Sequence, residues 1–194
     1  MKFEKDIMDI LIQFAHDQLA SGSGALYKSR GEAVQQKVID DIVSGKMGEY
    51  CAYMTISKYF PDVVTEPDLE IYKGRRKSFG ADLSVGDIGV HVKTQSFGSI
   101  KRYGKSWLFQ KTDRLVTNPS EKDIVAFVSV GEDGEAVFDF ACKASDLVCA
   151  YGVPKVPSYA STKKALYFAD IEKANIPIYR DNQLEELFRS LFEL

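Results

Sequence analysis

Histidine, cysteine and tryptophan are scarce in this chain. His16 and His91 are its only imidazoles, Cys51, Cys142 and Cys149 its only thiols, and Trp107 its only indole. Three cysteines with no CxxC pair do not make a disulfide framework, and two scattered histidines do not complete a zinc site. The thiols read as small, reduced residues of a cytoplasmic protein. No stretch approaches the roughly 18 apolar residues of a membrane span. Glu4, Asp6 and Asp9 interrupt the apolar amino terminus where a secretory core would run unbroken. No internal repeat, low-complexity tract or call for an organic cofactor is present. Neither sign of charge dominates: 25 Lys+Arg face 28 Asp+Glu, and a net charge of −3, as a total, speaks against a nucleic-acid binder.

What is present is an ordinary globular composition, 45% hydrophobic and 27% charged over 194 residues, which fits one domain. An amphipathic helix is expected over about 3–20, ahead of Ser21-Gly22-Ser23-Gly24. A longer one is expected from Glu32 to Tyr59, broken near Ser44-Gly45 and stopped by Pro61. Strands are expected at Leu69–Tyr72, Gly80–Val85, Ile88–Gln95, Ile124–Val130, Ala136–Phe140 and Ala165–Phe168. Helices are expected at Trp107–Val116 and Gln183–Phe192. This order predicts an α/β fold with a mixed sheet flanked by helices.

The segment Gly80–Gln95 carries the most chemistry. With Gly86-Asp87 as a two-residue turn, Val85 opposes Ile88, Leu83 opposes Val90 and Ala81 opposes Val92, all apolar and on one face. The other face then sets Asp82 opposite His91, with Lys93 and Gln95 following on the same side. A carboxylate and an imidazole can hold a divalent cation, Mg²⁺ or Mn²⁺ where oxygen donors dominate, and a lysine can orient water or meet phosphate charge. The same pattern also reads as a solvated strand face bearing an Asp–Lys contact.

Ala81-Asp82 on one strand and His91-Val92-Lys93 on the next resemble the PD-(D/E)xK nuclease superfamily, with Ala for the proline and His for the acidic residue of the second half. Gly48-Glu49, on a helix ahead of the strands, resembles the family's upstream glutamate. The resemblance covers about 35–140, leaving 1–30 as an amino-terminal helical extension and 141–194 as a carboxy-terminal elaboration of a single nuclease-like domain. It implies a restriction-endonuclease-like core and a metal-dependent DNA endonuclease. Asp82 and Glu49, with His91 completing the shell, would hold Mg²⁺ or Mn²⁺. Lys93 would position the attacking water, with Gln95 beside it. The histidine leaves other roles open, among them contact with phosphate, or loss of catalysis and a fold that only binds DNA or protein. A structural or inhibitory protein is a third reading.

The charge total conceals its arrangement. From Lys73 to Arg114 ten basic residues face only Asp82, Asp87 and Asp113, an excess of +7, against −10 elsewhere. Lys73, Arg75, Arg76 and Lys77 precede the Asp82 strand; Lys101, Arg102, Lys105 and Lys111 follow the Lys93 strand. These are the candidate DNA contacts. The resemblance also implies a homodimer, for which the apolar terminal helices offer a surface.

Overall fold

The structure is a computed structural model that describes residues 1–23, 35–71, 80–131 and 133–192. Helix α1 (Lys5–Gln18) turns Leu11, Phe14 and Ala15 inward and ends in a wider π turn at Leu19–Ser23. Helix α2 (Gln35–Ile56) buries Val38, Ile39, Ile42, Val43, Met47, Cys51 and Ala52, the three- and four-residue spacing of one helical face. It runs through Ser44-Gly45 without the expected break and ends three residues short of Tyr59. A mid-helix glycine costs about 1 kcal/mol relative to alanine, which the surrounding buried face outweighs.

The hairpin forms with the expected pairing over its closed end. Strands β1 (Leu83–Val85) and β2 (Ile88–Ser96) are antiparallel, with Leu83 opposite Val90 and Val85 opposite Ile88. Gly86 takes a positive φ of 60° at the turn, a conformation glycine adopts without strain. After helix α3 (Phe97–Tyr103) comes β3 (Ser106–Gln110) and a short helix α4 (Arg114–Thr117). Strand β4 (Asp123–Val130) is buried at all eight positions and lies parallel to β2. Strand β5 (Ala136–Lys143) pairs antiparallel with β4, giving a mixed sheet of order β1-β2-β4-β5. Then follow β6 (Lys163–Tyr167), α5 (Phe168–Lys173) and α6 (Leu184–Phe192).

Two expected elements are different. Trp107–Val116 is not one helix: Ser106–Gln110 pairs with Lys163–Tyr167 as a separate two-stranded ribbon. Trp107 and Phe109 are buried while Leu108 between them is exposed, which is the strand period and not the helical one. Nor do Leu69–Ile71 form a strand; Tyr72 lies outside the described residues. The Asp68 carboxylate accepts from the Glu70 N–H at 2.8 Å, a local turn that competes with sheet pairing. The edge contact on β1 comes earlier, as a single bridge from Val64 to Val85.

The sheet separates two cores. One face, carrying Val90, Ile124, Ala126 and Val128, packs against α1, α2 and α6. The other, carrying Val125, Phe127, Phe140 and Cys142, packs under Trp107, Phe109, Leu115, Leu147 and Ile171. Helix α1 packs on α2, and α6 turns Leu184, Leu187, Phe188 and Leu191, all fully enclosed, into the first of these cores. No helix among the described residues is long and apolar enough to cross a membrane.

Candidate active site

Asp82 lies one residue before β1, where the ladder departs from the expected register. Its N–H donates to the Val90 carbonyl at 3.0 Å, so Asp82 and Leu83 both meet the residue that Leu83 opposes. Two residues against one is the arrangement of a bulge, and it shifts the pleat. A Cβ on Gly89 would sit 3.2 Å from the Ala81 methyl, which places Ala81 on the His91 face and not opposite Val92. Asp82, expected opposite His91, instead turns its carboxylate to the sheet edge. Oδ2 accepts from the Val92 N–H at 2.8 Å, and Oδ1 has no hydrogen-bond partner among the described residues.

Gly48, the residue before Glu49, packs on the same strand. Helix α2 crosses β2 so closely that a Cβ on Gly48 would lie 3.5 Å from Val92 Cγ1 and 2.0 Å from Thr94 Cγ2. A side chain at position 48 would overlap Thr94 at that approach, so the residue before Glu49 is glycine. The Lys46 ammonium, 7% exposed, donates to Glu49 Oε2 at 2.6 Å and to the Asp68 carbonyl at 2.7 Å. That bond fixes the segment running beside β1 against α2. Burial, with help from Glu66 and Glu49, pushes the neighbouring Tyr50 phenol up.

His91 and Lys93 are on the opposite face. The His91 Nε2 lies 3.3 Å from Asp123 Oδ1 and 3.3 Å from Arg114 Nη2. Arg114 grips Asp123 with both terminal nitrogens, each at 2.9 Å, and the Ser120 N–H donates to the same carboxylate at 2.7 Å. A guanidinium only donates and a carboxylate only accepts, so Nε2 of His91 serves one of these two contacts in each tautomer: bare it accepts from Arg114, carrying the proton it donates to Asp123. Lys93 sets its ammonium 4.8 Å over the Phe109 ring and 3.7 Å from Asp113 Oδ2. Asp113 also caps α4 through the Leu115 N–H at 3.0 Å. Gln95, further along this face, is buried: its amide nitrogen donates to the Gly104 carbonyl and its oxygen accepts from the Ser106 N–H, both at 2.9 Å. It ties β2 to the start of β3.

The expected polar cluster thus divides in two. Asp82 lies at the sheet edge on the Val92 amide and Glu49 is held by Lys46 on α2, next to the glycine that packs on β2; His91, Lys93 and Gln95 stay together but belong to the second face. Of the basic residues, Lys101, Arg102 and Lys111 are exposed, and Lys105 is ion-paired with Asp139. Lys73, Arg75, Arg76 and Lys77 lie outside the described residues.

The sequence reading gave no site role to Lys46, Arg114 or Asp123. Two carried a signal. Lys46 occupies the apolar stripe of α2, and Asp123 opens a strand whose every residue is buried; charges in such positions need partners. Among the described residues no group of three or more His, Cys, Asp and Glu is arranged as a metal-binding cluster. Comparison of the chain with protein-family models, with curated proteins and with solved structures gives no match to any of them.

Proposed function

We propose that the protein is a DNA endonuclease of the PD-(D/E)xK kind, built on a restriction-endonuclease-like core and hydrolysing phosphodiester bonds with Mg²⁺ or Mn²⁺. The observation that carries this reading is that Val92 of β2 holds the Asp82 carboxylate through its amide and lies under Gly48, the residue before Glu49 on α2. The order of elements supports it: helix with Gly48-Glu49, edge bridge, hairpin with Asp82, crossover, then a strand parallel to β2. The donor chemistry suits a hard cation, since both groups offer carboxylate oxygens and Asp82 is oriented through one oxygen by the Val92 amide. His91 does not fit the set, because its Nε2 is engaged by Arg114 and Asp123 on the far face.

When bound, the cation would supply Lewis-acid polarisation of the phosphate and a more acidic water. The chain's own contribution is to fix the two carboxylates. The Val92 amide aims Asp82, the Lys46 ammonium holds Glu49, and the glycine contact at position 48 sets the distance of the helix from the strand. Exposed Lys101, Arg102 and Lys111 supply positive charge for the DNA backbone.

The test is cleavage of linear, supercoiled and four-way-junction DNA with Mg²⁺ and with Mn²⁺. The expected result is metal-dependent cleavage, abolished by chelator and lost by at least ~100-fold in Asp82→Ala and Glu49→Gln proteins that keep their melting temperature. Undiminished cleavage in Asp82→Ala, or in excess chelator, refutes it. One observation favours a second reading, a module that binds without turnover: the residue in the acidic position of the motif is closed into the Arg114–Asp123 network. That reading expects DNA binding with no cleavage under either metal.

A further inference from the structure

A cleft of about 570 Å³ opens at the carboxy-terminal end of β2, within the roughly 300–1,000 Å³ range of small-ligand sites. Its walls come from α2, α3, β3 and the segment 154–159, and Gln95 lies in its floor. Three cations line it, Lys37, Arg102 and Lys155, against a single carboxylate, Asp41, which is paired with Lys37 at 2.5 Å. Arg102 and Lys155 have no acidic partner among the described residues. Their charges rest on rings instead, Arg102 at 5.9 Å from the Tyr103 centroid and Lys155 at 4.7 Å from that of Tyr167. Tyr103 and Tyr159, 40% and 38% exposed, present aromatic surface at the mouth.

Positive charge without counter-charge, next to exposed aromatic faces in a concave site, is what a nucleotide requires: cations for its phosphate and a ring for its base. A base inside a duplex has both faces already stacked, so only an unpaired nucleotide can offer a face to a tyrosine here. The cleft also begins at Thr94, two residues or about 7 Å along the extended strand from Val92, whose amide holds Asp82. We propose that this cleft binds an unpaired nucleotide of single-stranded DNA, with Arg102 and Lys155 on the phosphates and Tyr159 against a base. The inference rests on the nucleic-acid reading above for the identity of the ligand, and it makes single-stranded or frayed DNA the form that the protein engages.

The experiment is fluorescence anisotropy with a fluorescein-labelled ten-nucleotide oligothymidine, in EDTA and with the full chain carrying Asp82→Ala, so that no cleavage intervenes. Binding is expected to weaken at least about tenfold in Arg102→Ala/Lys155→Ala, and the slope of log affinity against log salt to fall by about 1.4, two phosphate contacts at ~0.7 each. Tyr159→Ala is expected to weaken binding about five- to tenfold with the salt slope unchanged. Lys173→Ala, an exposed cation elsewhere, should leave binding as it is. Unaltered binding in the Arg102/Lys155 variant overturns the proposal. So does equal competition by a ten-base-pair duplex, or binding of thymidine monophosphate alone and not of the strand. Failure of hydrolysis with intact, cleft-dependent strand binding removes only the endonuclease reading. Cleavage with strand binding insensitive to the cleft variants removes only this one.

Discussion

Gly48→Ala tests the contact on which the candidate site depends. The added methyl would lie 2.0 Å from Thr94 Cγ2, far inside van der Waals contact, while Thr94 Cβ and Val92 Cγ1 are at an ordinary 3.5 Å. Relieving that overlap means moving α2 off β2 or forcing Thr94 from its rotamer, an overpacking cost of about 1–3 kcal/mol. An overlap this deep belongs at the upper end. Alanine returns about 1 kcal/mol through helix propensity, which leaves a net loss of roughly 2 kcal/mol. For a domain of this size that corresponds to about 4–8 °C in Tm. The sign reverses once the obstructing methyl is gone. In a Thr94→Ser background the closest remaining atoms are those at 3.5 Å, so Gly48→Ala should be neutral or stabilising by up to about 1 kcal/mol. Urea titrations of the four proteins measure both numbers as one cycle. A Gly48→Ala protein as stable as the parent, or a cycle with no coupling, would refute the close approach of helix and strand.

Two further outcomes follow from the second face and from the thiols. Arg114→Met should destabilise by roughly 2–3 kcal/mol, because it leaves the Asp123 carboxylate, 5% exposed, without its main partner. Asp123→Asn should cost less, since the guanidinium left behind is 46% exposed and can hydrate, and the double variant should cost less than the sum of the two, as read by denaturation. Burial pushes the Cys51 thiol up to about 11 and the Cys142 thiol up as well, whereas Cys149 is exposed. A disulfide reagent at pH 8 should therefore titrate one thiol quickly in the native protein and three after unfolding. Because both folded values are raised above 9.0, the stability that these thiols contribute is intact below pH 9 and falls as pH rises toward 11; Cys51→Ala should flatten that fall in thermal scans.

The hairpin was legible because every clue to it is local. Gly86 marks the turn and the apolar residues at 83, 85, 88 and 90 fix the register, since a slip by one would turn them all to the wrong face. The end of the same hairpin was not legible. The bulge at Asp82 depends on a side chain replacing a backbone acceptor for Val92, and no periodicity encodes that. Trp107-Leu108-Phe109 had the strand alternation, but three residues fit a helix as well as a strand, and the partner that decides between them, β6, is some fifty residues further on. The Arg114–Asp123–His91 network spans separations of 9, 23 and 32 residues, so its members are visible as charges and invisible as a unit. The shared face of His91, Lys93 and Gln95 was legible from the strand period; the departure of Asp82 from it was not.

The strand β4 is buried at every position and hydrogen-bonded along both edges, and its alternate side chains belong to different cores. It is the common wall of two otherwise separate interiors. Neither half can open without exposing a row of the other's contacts, which couples the fate of α2 and the Asp82 edge to that of the β3–β6 ribbon on the far side. Loosening of one core is therefore felt in the other through one shared element, and the chain gains or loses its two cores as a single event.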